Sequence, residues 1–188
     1  MLKLKRKPPI RVQFTKCNES CVLNRTSVPF HSRSIRKNFF NVVIMCDPST
    51  QSARGLLKLL ESFYVHRAPT RIGIVFTVDP DSKANGQNSV GVALLNAFNY
   101  VSANKEPYDA LAFLTDVFAK VEEDEELTVE MVHANFLESY GSDVKMADVF
   151  DEDSEYDVGR QLARDFVQRS GFKEMPQVRS IYQTGLSD

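Results

Sequence analysis

The 188-residue sequence contains no tryptophan and only three cysteines and three histidines. Three cysteines are too few for a fold built on disulfides, whereas 188 residues are enough to bury a sizeable core. The histidines, at positions 31, 66 and 133, lack the paired spacing of a zinc site. No apolar run approaches the roughly 18 residues of a transmembrane helix. The sequence therefore predicts neither a metal centre nor a membrane span.

Motifs for common catalytic chemistry are also missing. Gly73 and Gly86 are isolated and Gly91 lies within a helical pattern, so no glycine-rich phosphate loop is predicted. No local context supports a Ser/His/Asp arrangement. Asp151-Glu152-Asp153 resembles the Asp-x-Asp with which nucleotide-sugar transferases hold a metal. It lies among other acidic residues, and a solvated charge run is the commoner interpretation.

Charge is distributed unevenly along the chain. Residues 1–37 hold ten Lys or Arg and one acidic residue, Glu19, whereas the remainder holds 13 basic and 24 acidic residues. Nucleic-acid binding by the basic segment is not predicted, because few aromatic residues accompany the charges and no binding motif is present. The start of the chain, residues 1–9, lacks the apolar stretch of a signal peptide. We interpret residues 1–34 as a basic flexible arm.

The arm contains two cysteines and two glycosylation sequons. Cys17 and Cys21 are four positions apart and could pair only within a loop. Asn18 and Asn24 each begin an Asn-x-Ser/Thr sequence, the acceptor pattern for N-linked glycans. Because such short patterns also arise by chance, they give only weak support for a secretory setting.

The first part of the body predicts a strand–helix–strand unit. Phe39 to Cys46 is a short apolar run closed by turn residues, which favours a buried strand. Ser49 or Thr50 can cap a following helix, which Pro69 ends. Residues 70–78 form a second apolar strand, so the two strands are expected to be parallel. The apolar side of the helix consists of Leu56, Leu57, Leu60, Phe63 and Tyr64.

Four more apolar helical patterns occupy the region from residue 90 to Gly171. Pro107 suits the first turn of the second helix, the acidic run 122–126 precedes the third, and an acidic loop at 148–155 precedes the fourth. The four apolar faces are Val90, Leu94, Leu95, Phe98 and Val101; Leu111, Leu114, Val117, Phe118 and Val121; Val129, Val132, Phe136 and Leu137; and Val158, Leu162, Phe166 and Val167.

A last strand is predicted to start at Met175-Pro176. Two strands, a helical insert and a late strand opened by proline predict an α/β fold with a thioredoxin-like β-α-β core and a four-helix-type insertion at about 84–153. In that fold a cis proline commonly precedes the third strand and faces the first helix, so Pro176 is the structural cis-proline candidate. A trans proline stays open, because cis accounts for only about 5–6% of X–Pro bonds.

A redox-active thioredoxin needs Cys-x-x-Cys where the first strand meets its helix, because the helix N-terminus lowers the pKa of the thiol. That junction here reads Asp47-Pro48-Ser49-Thr50, without a cysteine. Cys46 lies inside the apolar run, which favours a buried, inert thiol. A stand-alone thiol oxidoreductase using Cys46 or Cys17 and Cys21, or a redox-inactive chaperone, is the alternative hypothesis.

Residues 35–178 resemble one family in the order and spacing of several blocks. The blocks are Ile35-Arg36-Lys37-Asn38, Val43 to Pro48, Pro69 to Phe76, Gly91-Val92-Ala93 with Ala97 to Val101, Tyr156-Asp157 with Arg160 and Arg164, and Met175-Pro176 with Val178. Together they resemble a thioredoxin-like sensor domain, the third, of the UDP-glucose:glycoprotein glucosyltransferases. None of that family's catalytic residues has a counterpart in this sequence.

The resemblance implies a parent protein of the endoplasmic reticulum lumen. Such a protein adds glucose from UDP-glucose to glycans of misfolded glycoproteins, using calcium in a separate catalytic domain. By this resemblance the present chain is a non-catalytic recognition and scaffold domain. Its expected partners are misfolded glycoproteins and other domains of the parent, and it is expected to hold no cofactor itself.

The two ends of the sequence depart from the family pattern. Residues 1–34 lack the acidic, apolar character of the corresponding family segment, and residues 179–188 lack the expected strand–turn–strand. We therefore divide the chain into an arm at 1–34, a thioredoxin-like domain at 35–178 and a tail at 179–188. A sheet without its last strand and closing helix would expose an edge and apolar surface.

Overall fold

The computed structural model of the protein describes residues 40–68, 70–80, 83–122, 125–171 and 176–182. Strands and helices alternate at the start, helices follow in succession, and a strand comes last. In chain order the elements are β1 (Phe40–Cys46), α1 (Gln51–Val65), β2 (Thr70–Phe76), α2 (Val90–Asn104), α3 (Pro107–Ala119), α4 (Val129–Tyr140), α5 (Met146–Phe150), α6 (Arg160–Ser170) and β3 (Gln177–Tyr182).

The described strands form one sheet in the order β2-β1-β3. β1 and β2 are parallel, with Ile44 opposite Ile74, which confirms the predicted strand–helix–strand unit. β3 runs antiparallel to β1, with Val178 opposite Ile44. Because successive side chains point to opposite faces, this register puts all three apolar side chains on one face of the sheet. β3 extends four residues past the boundary predicted at 178.

Helix α1 packs on this face of the sheet. The Thr50 side chain accepts a hydrogen bond of 3.4 Å from the backbone N–H of Ala53, as the predicted N-cap requires. Leu57 and Leu60 are buried in one core with Ile44 of β1. Burying a leucine side chain is worth about 1.5–3 kcal/mol, so this contact joins the helix firmly to the sheet.

Helices α2 to α5 form the insert, and its centre is aromatic. The ring of Phe136 lies 5.3 Å from that of Tyr100 and 5.1 Å from that of Phe150, in edge-to-face geometry. Edge-to-face pairs of this kind contribute beyond the area that they bury. The rings come from α2, α4 and α5, so they join these helices to one another, and they belong to the same hydrophobic core as Ile44 of the sheet.

Helix α5 corrects the start of the acidic loop predicted at 148–155, because residues 148–150 are helical, whereas residues 151–155 lie in a loop in which Glu152, Asp153 and Glu155 are exposed. The last two residues of α5, Val149 and Phe150, are fully buried, while Asp148 is exposed. A Cβ added to Gly86 would lie 2.9 Å from the Cα atom of Phe150, so only glycine permits this close approach. Burial of Val149 and Phe150 is favourable despite the neighbouring acidic residues, because the carboxylates of those residues can still reach water from the helix surface.

Helix α6 ends at Gly171, which has a φ of 74° and provides the left-handed C-cap expected of a glycine. Its apolar side is exposed: Val158, just before the helix, is 40% exposed, Leu162 is 55% and Phe166 is 45%. We call these three residues the α6 stripe. The periodicity of the sequence therefore gave the position of the helix but did not reveal which of its sides would be covered.

The predicted arm at 1–34 and residues 183–188 of the predicted tail lie outside the described residues. The candidate residues Cys17, Asn18, Cys21 and Asn24 lie in that arm and stay predictions, and His31 lies there as well.

Candidate functional site

The end of β1 meets α1 where a redox thioredoxin would carry its dithiol. Asp47 organises this junction: its Oδ1 atom accepts hydrogen bonds from the backbone N–H of Ser49 at 2.9 Å and from Ser49 Oγ at 2.6 Å. Thr50 Oγ1 donates to the carbonyl oxygen of Asp47 at 2.8 Å. The junction is therefore a polar turn whose own side chains satisfy one another, and it offers no thiol to a substrate.

Gly91 brings the start of α2 against this turn. A Cβ added at Gly91 would lie 3.1 Å from the side chain of Val78 and 3.4 Å from Asp47 Oδ1. The block that begins at Gly91 in the sequence therefore corresponds to close packing beside the junction. This contact is structural and brings no chemically reactive group.

Cys46 is the cysteine nearest to the junction, and it is completely buried. Burial, with a smaller effect from the neighbouring carboxylate of Asp47, raises the pKa of this thiol to about 12. Since the thiolate is the reactive form, Cys46 is neutral and unreactive near pH 7. The prediction of a buried thiol is confirmed, which leaves Cys17 and Cys21 as the only cysteines open to the oxidoreductase hypothesis.

Pro176 lies directly before β3. Because Gln177 pairs with Met45, the proline is at the same end of the sheet as the junction after Cys46. It is partly buried there. Its position before the third strand agrees with the sequence, while its orientation toward α1 and its isomer stay predictions.

Asp157 and Arg160 form a clamp that the sequence marked only through its resemblance to a family. Arg160 donates to Asp157 from Nε at 2.8 Å and from Nη2 at 2.6 Å, and from Nη1 to the backbone oxygen of Asp79 at 2.8 Å. The two side chains are only 12% and 11% exposed. Nearby, Asn99 of α2 donates to the carbonyl oxygen of Tyr156 at 2.8 Å. These contacts join α2, α6 and the exit of β2.

No group of three His, Cys, Asp or Glu side chains that could hold a metal ion occurs within the part of the chain that the structure describes. In the acidic run, Asp151 accepts a hydrogen bond from Gln87. His133 contacts the carbonyl oxygen of Gly86 at 2.9 Å, while His66 caps the end of α1. Across the described ranges, no helix is long and apolar enough to cross a bilayer.

Large apolar side chains that remain exposed are the other notable surface feature. Besides the α6 stripe, they lie on α1, at the end of α4 and on β3: Leu59, Phe63, Val65, Leu137 and Val178. Single exposed apolar residues are ordinary on a protein surface, whereas several on one side of an element are typical of an interaction site. From the sequence we had predicted several of these residues to be in the core, because periodicity alone does not show whether an apolar side faces the core or the solvent.

Comparison with known proteins agrees with this architecture. A family model described as a thioredoxin-like domain matches residues 17–179. A bacterial protein from Pseudomonas syringae, proposed to be a protein-disulfide isomerase, has a similar structure with a TM-score of 0.52. It is 12% identical in sequence, and the match covers 79% of this chain and 86% of that one. The similarity extends to the fold alone.

Sequence relatives are closer. The chain is 40% identical over 162 residues to UDP-glucose:glycoprotein glucosyltransferase of Drosophila melanogaster, which covers 85% of this chain. It is 34% identical over 156 residues to UDP-glucose:glycoprotein glucosyltransferase 1 of Homo sapiens, which covers 83%. In both cases the chain spans only 10% of the relative's length. The chain thus belongs to the thioredoxin-like domain family, in the form found within UDP-glucose:glycoprotein glucosyltransferases.

Proposed function

We propose that this chain is a non-catalytic recognition and scaffold domain of a UDP-glucose:glycoprotein glucosyltransferase. The observation that carries the proposal is the β1–α1 junction, where a self-satisfied turn around Asp47 stands in place of a dithiol. Cys46, which directly precedes this turn, is buried and protonated at neutral pH. A domain that has the fold of a thiol enzyme but lacks the reactive cysteine pair can still bind partners through its surface, although it cannot carry out thiol–disulfide exchange.

The surface that we assign to recognition is the α6 stripe. Leu162 and Phe166 are four residues apart in α6, so they lie on the same side of the helix, and Val158 is exposed in the segment just before it. Hydrophobic contact is not directional and therefore suits a domain that meets many different partners. The partners proposed are misfolded glycoproteins in the endoplasmic reticulum lumen, together with the other domains of the parent protein.

The transfer of glucose belongs elsewhere in that parent. The proposal assigns calcium and UDP-glucose to a separate catalytic domain, and it assigns no catalytic residue to this chain. The α6 stripe would then contribute by binding the misfolded form of a glycoprotein more tightly than the native form. Each of its side chains keeps about half of its surface for a partner, and covering that surface would add roughly 1 kcal/mol per residue.

Binding of the purified chain to a glycoprotein in native and in chemically unfolded form tests this function. We expect the unfolded form to bind more tightly. The double variant Leu162→Gln/Phe166→Gln should weaken that binding by about fivefold or more, since 1.4 kcal/mol corresponds to a factor of ten. Leu137→Gln is the matched control, because Leu137 is similarly exposed at 57% but lies on α4.

Two results would contradict the proposal. Equal binding to the native and the unfolded glycoprotein would remove the recognition role. If the α6 double variant and the α4 control bound equally well, the assignment of the surface would be wrong. Melting curves of both variants are needed alongside, so that loss of binding is not confused with loss of folding.

A further inference from the structure

Asn85-Gly86 is the one Asn-Gly pair in the sequence. An asparagine followed by glycine deamidates readily in an unfolded chain, because glycine has no side chain to hinder attack by its backbone nitrogen. In this reaction the nitrogen bonds to Cγ of the asparagine, the Cγ–Nδ2 bond breaks, and the amide group leaves as ammonia with the proton of that nitrogen. Water then opens the resulting succinimide to aspartate or isoaspartate. The way in which the fold holds Asn85 and Gly86 therefore decides whether the reaction proceeds.

Hydrogen bonds hold the side chain of Asn85 in place. Its Oδ1 atom accepts from the backbone N–H groups of Gln87 and Asn88, both at 3.0 Å. Its own backbone N–H donates to Oδ1 of Asn88 at 2.8 Å, and Nδ2 of Asn88 donates to the carbonyl oxygen of Lys83 at 2.8 Å. Turning Cγ of Asn85 toward the nitrogen of Gly86 would break both bonds of its Oδ1 atom, so this loop opposes the reaction.

Gly86 is held from the other side by α4 and α5. It is buried, and a Cβ added to it would lie 2.9 Å from both the Cα atom and the carbonyl oxygen of Phe150. The carbonyl oxygen of Gly86 contacts Nε2 of His133 at 2.9 Å, and the next residue, Gln87, donates to Asp151. The peptide group of Gly86 therefore has no room to turn while α5 stays in place.

We propose that Asn85 is a site of spontaneous deamidation that the folded domain keeps closed and that opens when α5 separates from Gly86. The nucleophile and the leaving group both belong to the chain, and water is the only co-reactant. The rate is then the rate of the unfolded chain multiplied by the fraction of molecules in which α5 has separated. This inference does not depend on the proposed function.

The two products differ in their fit to the structure. Among the interactions of the described residues, Nδ2 of Asn85 makes no hydrogen bond, so an ordinary aspartate can keep both bonds that Oδ1 accepts. Isoaspartate inserts one more carbon atom into the main chain before Gly86, where even a Cβ does not fit beside Phe150. Formation of isoaspartate would therefore keep α5 from returning to Gly86.

Mass spectrometry of the full 188-residue chain tests the site. The chain is kept at one pH in native buffer and in guanidinium chloride, and the loss of the amide at Asn85 is followed over time. We expect the unfolded chain to deamidate at least about tenfold faster than the native chain, which corresponds to 1.4 kcal/mol of protection. Labelling by an isoaspartate methyltransferase identifies the second product.

Two variants test what keeps the site closed. Asn88→Ala removes hydrogen bonds at an exposed position, and Phe150→Leu loosens the contact of α5 with Gly86. We expect each to raise the rate in native buffer by about threefold or more. Their matched controls, Asn104→Ala and Phe166→Leu, alter an exposed asparagine at the end of α2 and an exposed phenylalanine of α6, and should leave the rate unchanged. Circular dichroism checks that all four variants are folded.

Three outcomes would overturn the proposal. Equal rates in the native and the unfolded chain would show that the fold does not protect Asn85. An unfolded chain that keeps its amide at Asn85 would show that the residue is not a deamidation site. If Asn88→Ala and Phe150→Leu deamidate no faster than their controls, the loop and α5 do not keep the site closed.

The Tm of the products provides a second, independent measurement. Chains that carry isoaspartate at position 85 are separated and refolded, and Asn85→Asp supplies the ordinary aspartate for comparison. We expect the isoaspartate form to melt roughly 4 °C or more below Asn85→Asp. Equal Tm values would show that the packing of α5 on Gly86 tolerates the longer main chain, contrary to the proposal.

Discussion

The guanidinium group of Arg160 donates two hydrogen bonds, of 2.8 and 2.6 Å, to the carboxylate of Asp157. Its remaining nitrogen donates to the backbone oxygen of Asp79 at 2.8 Å. The forked geometry of arginine makes this three-way contact possible, and lysine could not reproduce it. The clamp therefore explains why the segment before α6 stays attached to the exit of β2.

We expect Arg160→Lys to destabilise the protein by about 1–3 kcal/mol, because the variant leaves a largely buried carboxylate with incomplete hydrogen bonding. Chemical denaturation measures the change. Lys120→Ala is the control: Lys120 also pairs with a carboxylate, that of Glu138 at 2.6 Å, but both side chains are more than half exposed. The clamp interpretation fails if the two variants lose the same amount of stability.

Cys46 should make stability depend on alkaline pH. Its pKa is raised to about 12 in the folded state by burial first and by Asp47 second, whereas an unfolded cysteine ionises near pH 8.5. Below that unfolded pKa the thiol is neutral in both states, and its contribution is fully present. As the pH rises toward 12 the unfolded state alone loses the proton, so stability falls.

Replacing the thiol isolates this effect from that of the tyrosines, which also titrate in alkali. Cys46→Val should remove part of the loss of stability between about pH 9 and 12 while preserving the core volume. Denaturation curves of the two proteins at several pH values provide the measurement. Identical pH dependence would show that Cys46 is not shielded as its burial indicates.

Thiol reactivity separates the favoured function from the oxidoreductase alternative. We expect the chain not to reduce insulin above background, and the variant Cys17→Ser/Cys21→Ser to behave like the parent. Cys46 should react with alkylating reagent only upon unfolding, because it is fully buried. Insulin reduction that is abolished in the double serine variant would establish the alternative instead.

Replacing each of two glycines with alanine should change the stability of the protein in opposite directions. Gly86→Ala would force a methyl group within 2.9 Å of the Phe150 backbone and should cost about 1–3 kcal/mol. Gly55 is in α1 with nothing near its missing side chain, so Gly55→Ala should stabilise by about 0.5–1 kcal/mol. Thermal or chemical denaturation measures both. Stabilisation by both variants would mean that α5 does not pack on Gly86.

Two phenylalanines test which apolar residues form the core. Phe150→Ala should destabilise by about 3–5 kcal/mol, since that side chain is fully buried between Phe136 and the ring of His133. Phe166→Ala, in the α6 stripe, should change the free energy of unfolding by less than about 1 kcal/mol. A large loss from Phe166→Ala would show that a part of the protein covers the stripe.

Local signals predicted much of the fold. The apolar run ending at Cys46, the cap at Thr50 and the glycine at 171 locate a strand, the start of a helix and the end of another, and the structure agrees at each position. These features act over a few residues, through backbone hydrogen bonding and side-chain alternation, so a single sequence reveals them. The missing dithiol was equally visible, because it concerns residue identity alone.

Other features depended on long-range contacts. Asp157 and Arg160 could be noted only as part of a resemblance, since their attachment to Asp79 joins residues far apart in the chain. Val149 and Phe150 were hidden in an acidic stretch, because their burial depends on Gly86 leaving room for them. Periodicity also could not distinguish Leu57, which is buried, from the α6 stripe, which is not.

The amino-acid order alone thus determined the kinds of element, their sequence along the chain and the loss of thiol chemistry at the junction, since each follows from neighbouring residues. Only the tertiary structure decided which apolar faces are covered, because burial is a property of pairs of surfaces brought together by folding. That difference leaves Ile44 hidden beneath α1 and its strand partner Val178 exposed.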